Sequence, residues 1–157
     1  MKIVVLVIGK TNQAFVQDGI EEFCGRLKHY IPFDIEVVAD IKNAKNRSFQ
    51  EIKDREGDIL LKYFRHGDHI VLLDENGKQY SSLEFAHFIE KKTHQVGKRL
   101  VFVVGGAYGF SEKIYAKANE KISISKMTFS HQMIRLIFVE QIYRAMTIMN
   151  NEPYHHE

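Results

Sequence analysis

The sequence predicts an α/β fold, a mostly parallel sheet with helices on both faces. Three observations point there. Residues 2–8, 69–74 and 99–104 are apolar almost throughout rather than alternating, the pattern of strands buried on both sides. Between these runs apolar residues recur at helical spacing, and strands alternating with helices suit the crossovers that parallel neighbours need. The 157 residues, 45% hydrophobic and 27% charged, suffice for one domain spanning 1–157 with a sizeable core.

In chain order, residues 2–8 form the first strand, ended by Gly9. Val16, Ile20, Phe23, Leu27 and Ile31 mark a first helix, and residues 33–38 a second strand. Residues 40–47 are polar and Asn-rich, a surface loop. Ser48-Phe-Gln-Glu51 is a capping box that opens a helix to about Phe64. Gly67-Asp68 turns the chain into the third strand, residues 69–74. Asn76-Gly77 reads as a tight turn, and Ser81-Ser-Leu-Glu84 as a second capping box before a helix to about Thr93. Residues 99–104 form the fourth strand, broken by Gly105-Gly106. A helix from about Ser111, a short strand over 121–124, a long helix from about His131 to Met149 and a polar tail over 150–157 complete the chain. Met133, Leu136, Ile137, Val139, Ile142, Tyr143, Met146 and Met149 cover more than one stripe of that last helix. It is either buried deep within the chain or part of a subunit interface, and the small size of the domain favours the interface.

Several function classes are excluded or weak. The formal charge of +2 rules out a polybasic protein, and the single Cys24 rules out an internal disulfide and a Cys-rich zinc site. The longest apolar run, six residues, is far short of the roughly 20 that span a bilayer, so a soluble, cytoplasmic protein is expected. Gly9-Lys10-Thr11 resembles the end of a P-loop, but Val4 stands where that motif needs its first glycine. The eight histidines include no His-Glu-x-x-His and no carboxylate triad, so no metal is expected. No serine occupies a G-x-S-x-G elbow, and hydrolase readings are weak.

Positive signals gather at the strand ends. In parallel sheets ligands sit beyond the carboxyl ends of the strands, here Gly9, Asp74, Gly105 and Ser125. Gly105-Gly-Ala-Tyr-Gly-Phe110 lies between a buried strand and a helix, where glycines let backbone amides approach a ligand. Between Lys98 and Arg135 the chain carries seven Lys/Arg and two Asp/Glu, interleaved with Tyr108, Phe110, Tyr115 and Phe129, a composition suited to RNA. Ser125-Lys-Met-Thr-Phe-Ser-His-Gln-Met-Ile-Arg135 runs from a strand through a polar turn into a helix that also carries Glu140 and Arg144. Polar groups this dense between apolar segments fit a turn lining a pocket.

On these residues the chain resembles the RlmH family of the SPOUT methyltransferase superfamily. The resemblance covers essentially the whole sequence: Met1-Lys-Ile with Gly9-Lys10, the Gly105-Gly-x-x-Gly109 loop, Ser125-Lys-Met-Thr-Phe with His131-Gln132, Arg135, Glu140-Gln-x-Tyr-Arg144, and Tyr154-His155. One departure is Ser130, where the family usually has Pro. The resemblance implies a C-terminal trefoil knot, otherwise a rare topology, and a homodimer with the last helix at its interface. It implies S-adenosylmethionine as cofactor, held by Leu73, Gly105 and the segment Ile124, Ser125, Lys126, Met127, Thr128 and Phe129. It also implies N3-methylation of a pseudouridine in the helix-69 loop of 23S rRNA on the ribosome. Arg144, Tyr154 and His155 are then expected on the substrate side. His131 and Arg135 are candidates for catalysis or for ordering the cofactor loop. The alternatives are a SPOUT methyltransferase acting on tRNA or a small molecule, or a non-catalytic ribosome-binding module.

Overall fold

The computed structural model describes residues 1–156. Five strands, β1 (Lys2–Ile8), β2 (Phe33–Val38), β3 (His69–Gln79), β4 (Arg99–Val104) and β5 (Glu120–Ser123), form one all-parallel sheet in the order β2-β1-β4-β3-β5. The helices are α1 (Ala14–Leu27), α2 (Phe49–Leu61), α3 (Ser82–Gln95), α4 (Glu112–Lys117) and α5 (Met133–Met149). Both sheet faces are covered because successive strand residues point to opposite sides. Ile3, Val5 and Val7 of β1 join a core with Leu27 of α1, Phe85 and Ile89 of α3 and Phe138 and Ile142 of α5. Val4, Leu6 and Ile8 pack on the other side against Leu60 of α2 and Ile114 of α4. Each such side chain contributes roughly 1.5–3 kcal/mol by burial, which is why the apolar runs become central strands.

The expected elements form, with informative differences. Ser81 accepts from the Glu84 amide and Glu84 reaches back to the Ser81 N–H, a complete capping box; at Ser48 only the first half is made. The helix α2 ends at Leu61, three residues early, where Lys62 and Tyr63 N–H groups tighten onto the Ile59 and Leu60 carbonyls. The surface loop over 40–47 contains a 3-10 turn, Ala44–Asn46.

Asn76-Gly77 does not turn. The strand β3 runs on to Gln79, with a register shift between Leu73 and Lys78 against β5. Gly77 is required there by close approach: a Cβ would stand 2.6 Å from the Ile122 backbone N and C. The polar tail does not dangle either, for Tyr154 packs edge-on against Tyr143 with ring centroids 4.8 Å apart.

The apolar girth of α5 is covered only in part within one chain, where Met133, Leu136, Ile137 and Met149 stay half-buried. It lies between α1 and α3, burying Phe138, Val139, Ile142, Ala145 and Met146. On its α1 side, a Leu136 methyl sits 2.8 Å from where Gly19 would carry a Cβ, so a side chain there would have to displace it.

At the opposite end of the sheet from the glycine loop, Arg99 opens β4 and is buried. Its Nε and Nη2 donate to the two Asp68 oxygens (2.8 and 2.6 Å), Nη2 also to the Tyr63 carbonyl (2.9 Å), and Nη1 to Glu36 (3.3 Å). Burial would raise the Asp68 carboxyl, but hydrogen bonds from Arg99 and the Arg65 amide outweigh it and hold it below the usual carboxylate range. Arg99→Ala would strand a buried carboxylate and is expected to cost about 3–5 kcal/mol, read from urea unfolding at neutral pH. A loss below about 1 kcal/mol would show that solvent reaches Asp68 freely.

Candidate active site

Past the carboxyl ends of β4, β3 and β5 the structure opens a cleft of about 620 Å³, within the range of small-molecule sites. Three chain segments build it. Leu73, Asp74, Glu75 and Asn76 come from β3, residues 105–110 from the turn after β4, and residues 123–125 and 127–131 from β5 and the turn that follows. This placement follows from the sheet: adjacent parallel strands end side by side, and each must turn away at that edge.

The glycine loop brings backbone rather than side chains to the cleft. A Cβ at Gly105 would stand 2.9 Å from the Phe110 ring, and Gly109 has φ +85°, so both positions depend on glycine. After β5, Ser123 Oγ donates to the Ser125 carbonyl (3.0 Å) and Ser125 Oγ accepts from the Met127 amide (3.0 Å), which tightens the turn. Ser130, in the position where proline would stiffen the chain, accepts from the Met133 amide (3.1 Å) and so caps the start of α5.

Of the residues expected to hold a cofactor, Leu73, Gly105, Ile124, Ser125, Met127, Thr128 and Phe129 line this one cleft. Lys126 is exposed and does not line it. His131 lines it, and its carbonyl accepts from Arg135 Nε (3.0 Å).

Arg135 is 2% exposed and lies below the cleft rather than in it. Its Nη2 donates to the Ile8 carbonyl (2.7 Å), and Nη1 to the Gly9 carbonyl (2.8 Å) and Thr11 Oγ1 (3.1 Å). Gln132 adds bonds to the Asn12 amide and the Lys10 carbonyl. Together they clip the end of β1 to the start of α5. The geometry therefore favours ordering of the loop over contact with a reactant. Gly9, one of the four strand ends, is absorbed by this clip and does not line the cleft.

Arg144, Tyr154 and His155 form a second cluster outside the cleft, gathered on Glu140. Glu140 Oε1 accepts from Arg144 Nη2 (2.6 Å) and the Tyr154 hydroxyl (2.9 Å), Arg144 Nη1 lies 3.2 Å from His155 Nδ1, and the guanidinium stacks 4.7 Å from the Tyr154 ring centroid. Burial, and then the bond to Glu140, raise the Tyr154 phenol above its ordinary value, so it stays a donor at neutral pH. The role of Glu140 was legible as an acid four residues before Arg144 on a helix, a spacing that pairs them.

Sequence reasoning missed the cleft's acidic rim. In the sequence Asp74 stands only as a strand end, yet its carboxylate accepts from the Asn76 amide (2.8 Å) and from the Tyr115 hydroxyl. Burial and this carboxylate push Tyr115 up to about 12, so it too remains protonated. Tyr108 stacks on Phe49 at 4.1 Å, and Lys53 completes that wall. With two carboxylates and Lys53 at its edge and apolar and glycine surfaces inside, the cleft suits a ligand with cationic and apolar parts. Among the described residues no group of three or more His, Cys, Asp or Glu could hold a metal ion, and no helix is long and apolar enough to cross a membrane.

A family model described as predicted SPOUT methyltransferase matches residues 1–155. Proteins named ribosomal RNA large subunit methyltransferase H are similar over the full length of both chains: 62% identity for that of Parabacteroides distasonis, and 58% each for those of Phocaeicola vulgatus and Bacteroides thetaiotaomicron.

Proposed function

The chain belongs to the RlmH family of SPOUT methyltransferases, and on that premise we propose that it methylates N3 of a pseudouridine in the helix-69 loop of 23S rRNA. SPOUT methyltransferases use S-adenosylmethionine generally. The observation that carries the proposal is the single cleft made by Leu73, the 105–109 loop and residues 124–129, three separate segments at adjacent strand ends. The residues present fit this cofactor. The loop offers backbone where a Cβ would meet Phe110, Leu73, Ile124 and Met127 offer apolar surface, and Asp74 and Glu75 complement a cation.

When bound, S-adenosylmethionine supplies an electrophilic methyl group on a sulfonium centre. The chain's own residues then have three tasks: to align the acceptor nitrogen, to favour loss of its proton and to exclude water. The N3–H of a uracil-type base is a weak acid, and a fixed cation beside its carbonyl oxygens stabilises the imide anion. Arg144, held by Glu140 and braced on Tyr154, is suited to that role, with His155 beside it. His131, at the cleft wall, is the nearer candidate for moving a proton.

Because the Arg144 cluster and the cleft are separate within one chain, we place the complete site in a homodimer, each cleft facing the partner's Arg144 cluster. A C-terminal trefoil knot is compatible with the path of the chain, which leaves β5 at the sheet edge and returns to the end of β1 through the Arg135 clip. Cytoplasmic work on the ribosome follows from the substrate.

The test is methyl transfer from labelled S-adenosylmethionine to ribosomes lacking the modification, with the labelled nucleotide mapped by mass spectrometry. Label on a helix-69 pseudouridine is expected; label confined to tRNA, or cofactor binding without transfer to ribosomes, would overturn the substrate. An Arg144→Ala chain mixed with a chain disabled in the cleft is expected to recover activity. If the mixture stays as inactive as its parts, the site does not span two subunits.

A further inference from the structure

Glu56 takes no part in the site above, yet it is buried directly beneath it. It occupies the inner face of α2 between Ile52 and Leu60 at 8% exposure, where an apolar side chain would avoid all desolvation cost. Its Oε1 has no hydrogen-bond partner. A Cβ on Gly106 would stand 2.5 Å from Oε2 and 2.6 Å from Oε1, so the carboxyl fits under the glycine loop only because position 106 has no side chain. Just past the loop, Ser111 is 2% exposed and its Oγ also lacks a partner. Gly57, the next residue of α2, admits that hydroxyl, since a Cβ there would be 2.3 Å from Oγ. Two buried, unsatisfied polar groups therefore flank one short loop, against the rule that such groups are paired. The charged group acting on Glu56 is Asp40, beyond β2. Burial first, and then Asp40, push Glu56 up to about 7.

We propose that Glu56 is a positioning residue for the glycine loop, the carboxylate that receives loop N–H groups and the Ser111 hydroxyl when a cationic ligand fills the cleft. This rests on the S-adenosylmethionine reading, because that ligand carries sulfonium and ammonium charge. Glu56 acts through the backbone of Gly105 and Gly106 and need not touch the ligand. N–H donors and a cation above it both favour its ionised form. Occupancy and deprotonation are then linked, so binding releases a proton near neutral pH, and affinity weakens as pH falls below about 7.

In the ligand-free protein the same group acts the other way. Its folded value of about 7 lies above the ordinary 4.5, so the folded state binds more protons in between, and Glu56 weakens the fold as pH rises through that window. Glu56→Gln should therefore melt higher than wild type at pH 8 and yet bind the ligand more weakly. A residue kept only for structure would lower the melt and leave the pH slope of binding unchanged.

The experiment is calorimetric titration of the full chain with S-adenosylmethionine from pH 5.5 to 8.5, in two buffers of different ionisation enthalpy. Wild type is expected to lose roughly tenfold in affinity between pH 7.5 and 5.5 and to release a proton near pH 6.5. Glu56→Gln should show neither, and Glu56→Asp, which keeps a carboxylate, should recover the slope. Because the slope is read as a difference from wild type, contributions common to both proteins, the ligand's own amine included, cancel. Equal slopes and proton counts in wild type and Glu56→Gln would overturn the proposal while leaving the methyltransferase reading intact. If Glu56→Gln does not fold, a wild type that exchanges no proton on binding overturns it. A wild type that binds no S-adenosylmethionine at any pH would sink the cofactor reading and this proposal together.

Discussion

Arg144→Ala is expected to slow methyl transfer to ribosomes by roughly 10²–10³-fold, the scale of losing one fixed group that stabilises developing charge. Affinity for S-adenosylmethionine should stay within about twofold, because none of Arg144, Tyr154 or His155 lines the cleft. The fold should tolerate the change, since Glu140 keeps the Tyr154 hydroxyl and the Gln141 amide as donors. Arg144→Lys should recover little. An ammonium cannot bond Glu140, stack on the Tyr154 ring and still present donors to a base, as the planar guanidinium can. Tyr154→Phe should cost less, and the double variant less than the product of the two, because both groups hang on one carboxylate. Single-turnover methylation beside equilibrium cofactor titration separates these effects. An Arg144→Ala enzyme that methylates at the wild-type rate would remove Arg144 from the site.

Gly77→Ala is expected to be the most damaging single methyl group in the chain. The added Cβ would lie 2.6 Å from the Ile122 N and C and 2.8 Å from its Cα. These are backbone atoms of a strand already paired with β3 through Leu72–Lys121 and Leu73–Ile122, so neither side can give way as a flexible side chain would. Overpacking of this kind costs about 1–3 kcal/mol. It would fall on the two strands that carry Leu73, Asp74 and Ile124 into the cleft, so cofactor affinity should drop at least about tenfold, the equivalent of ~1.4 kcal/mol. Gln79→Ala, two residues away, exposed and outside the cleft, should be nearly neutral in both readouts. If the two variants behave alike in thermal melts and cofactor titration, the backbone contact is not what requires glycine here.

Gly77 also shows where the sequence misleads. Asn-Gly between an apolar run and a capping box has the composition of a hairpin turn. The backbone at Gly77 is not in the left-handed region, and its glycine serves contact with β5, more than 40 residues away. The tail was misleading in the same way. Residues 150–157 are polar, but Tyr154 reaches Glu140 and the aromatic cluster, and Glu152 takes the Tyr30 hydroxyl. Glu56 stands four residues from Ile52 and from Leu60, so helical spacing puts it on the inward face, but its charge is ordinary for a surface position and only the packed structure shows it buried. By contrast Ser81, Arg99–Val104 and the 105–109 loop were legible, because each announces itself within a few residues.

The succession of strands and helices, the two faces of the sheet and the edge that carries the cleft could be read from the chain alone. Those follow from local propensity and from the period of apolar residues, and both are properties of a short window of chain. Packing across the chain is what makes Arg135 serve the end of β1 instead of the cleft, brings Arg144 and Tyr154 together on Glu140 apart from it, and has Gly77 and Gly106 make room for Ile122 and Glu56. The physical reason is common to all of them. A buried polar group or a glycine acquires its role from what packs against it, and apart from Glu140, four residues before Arg144, those partners lie from 14 to 127 residues away.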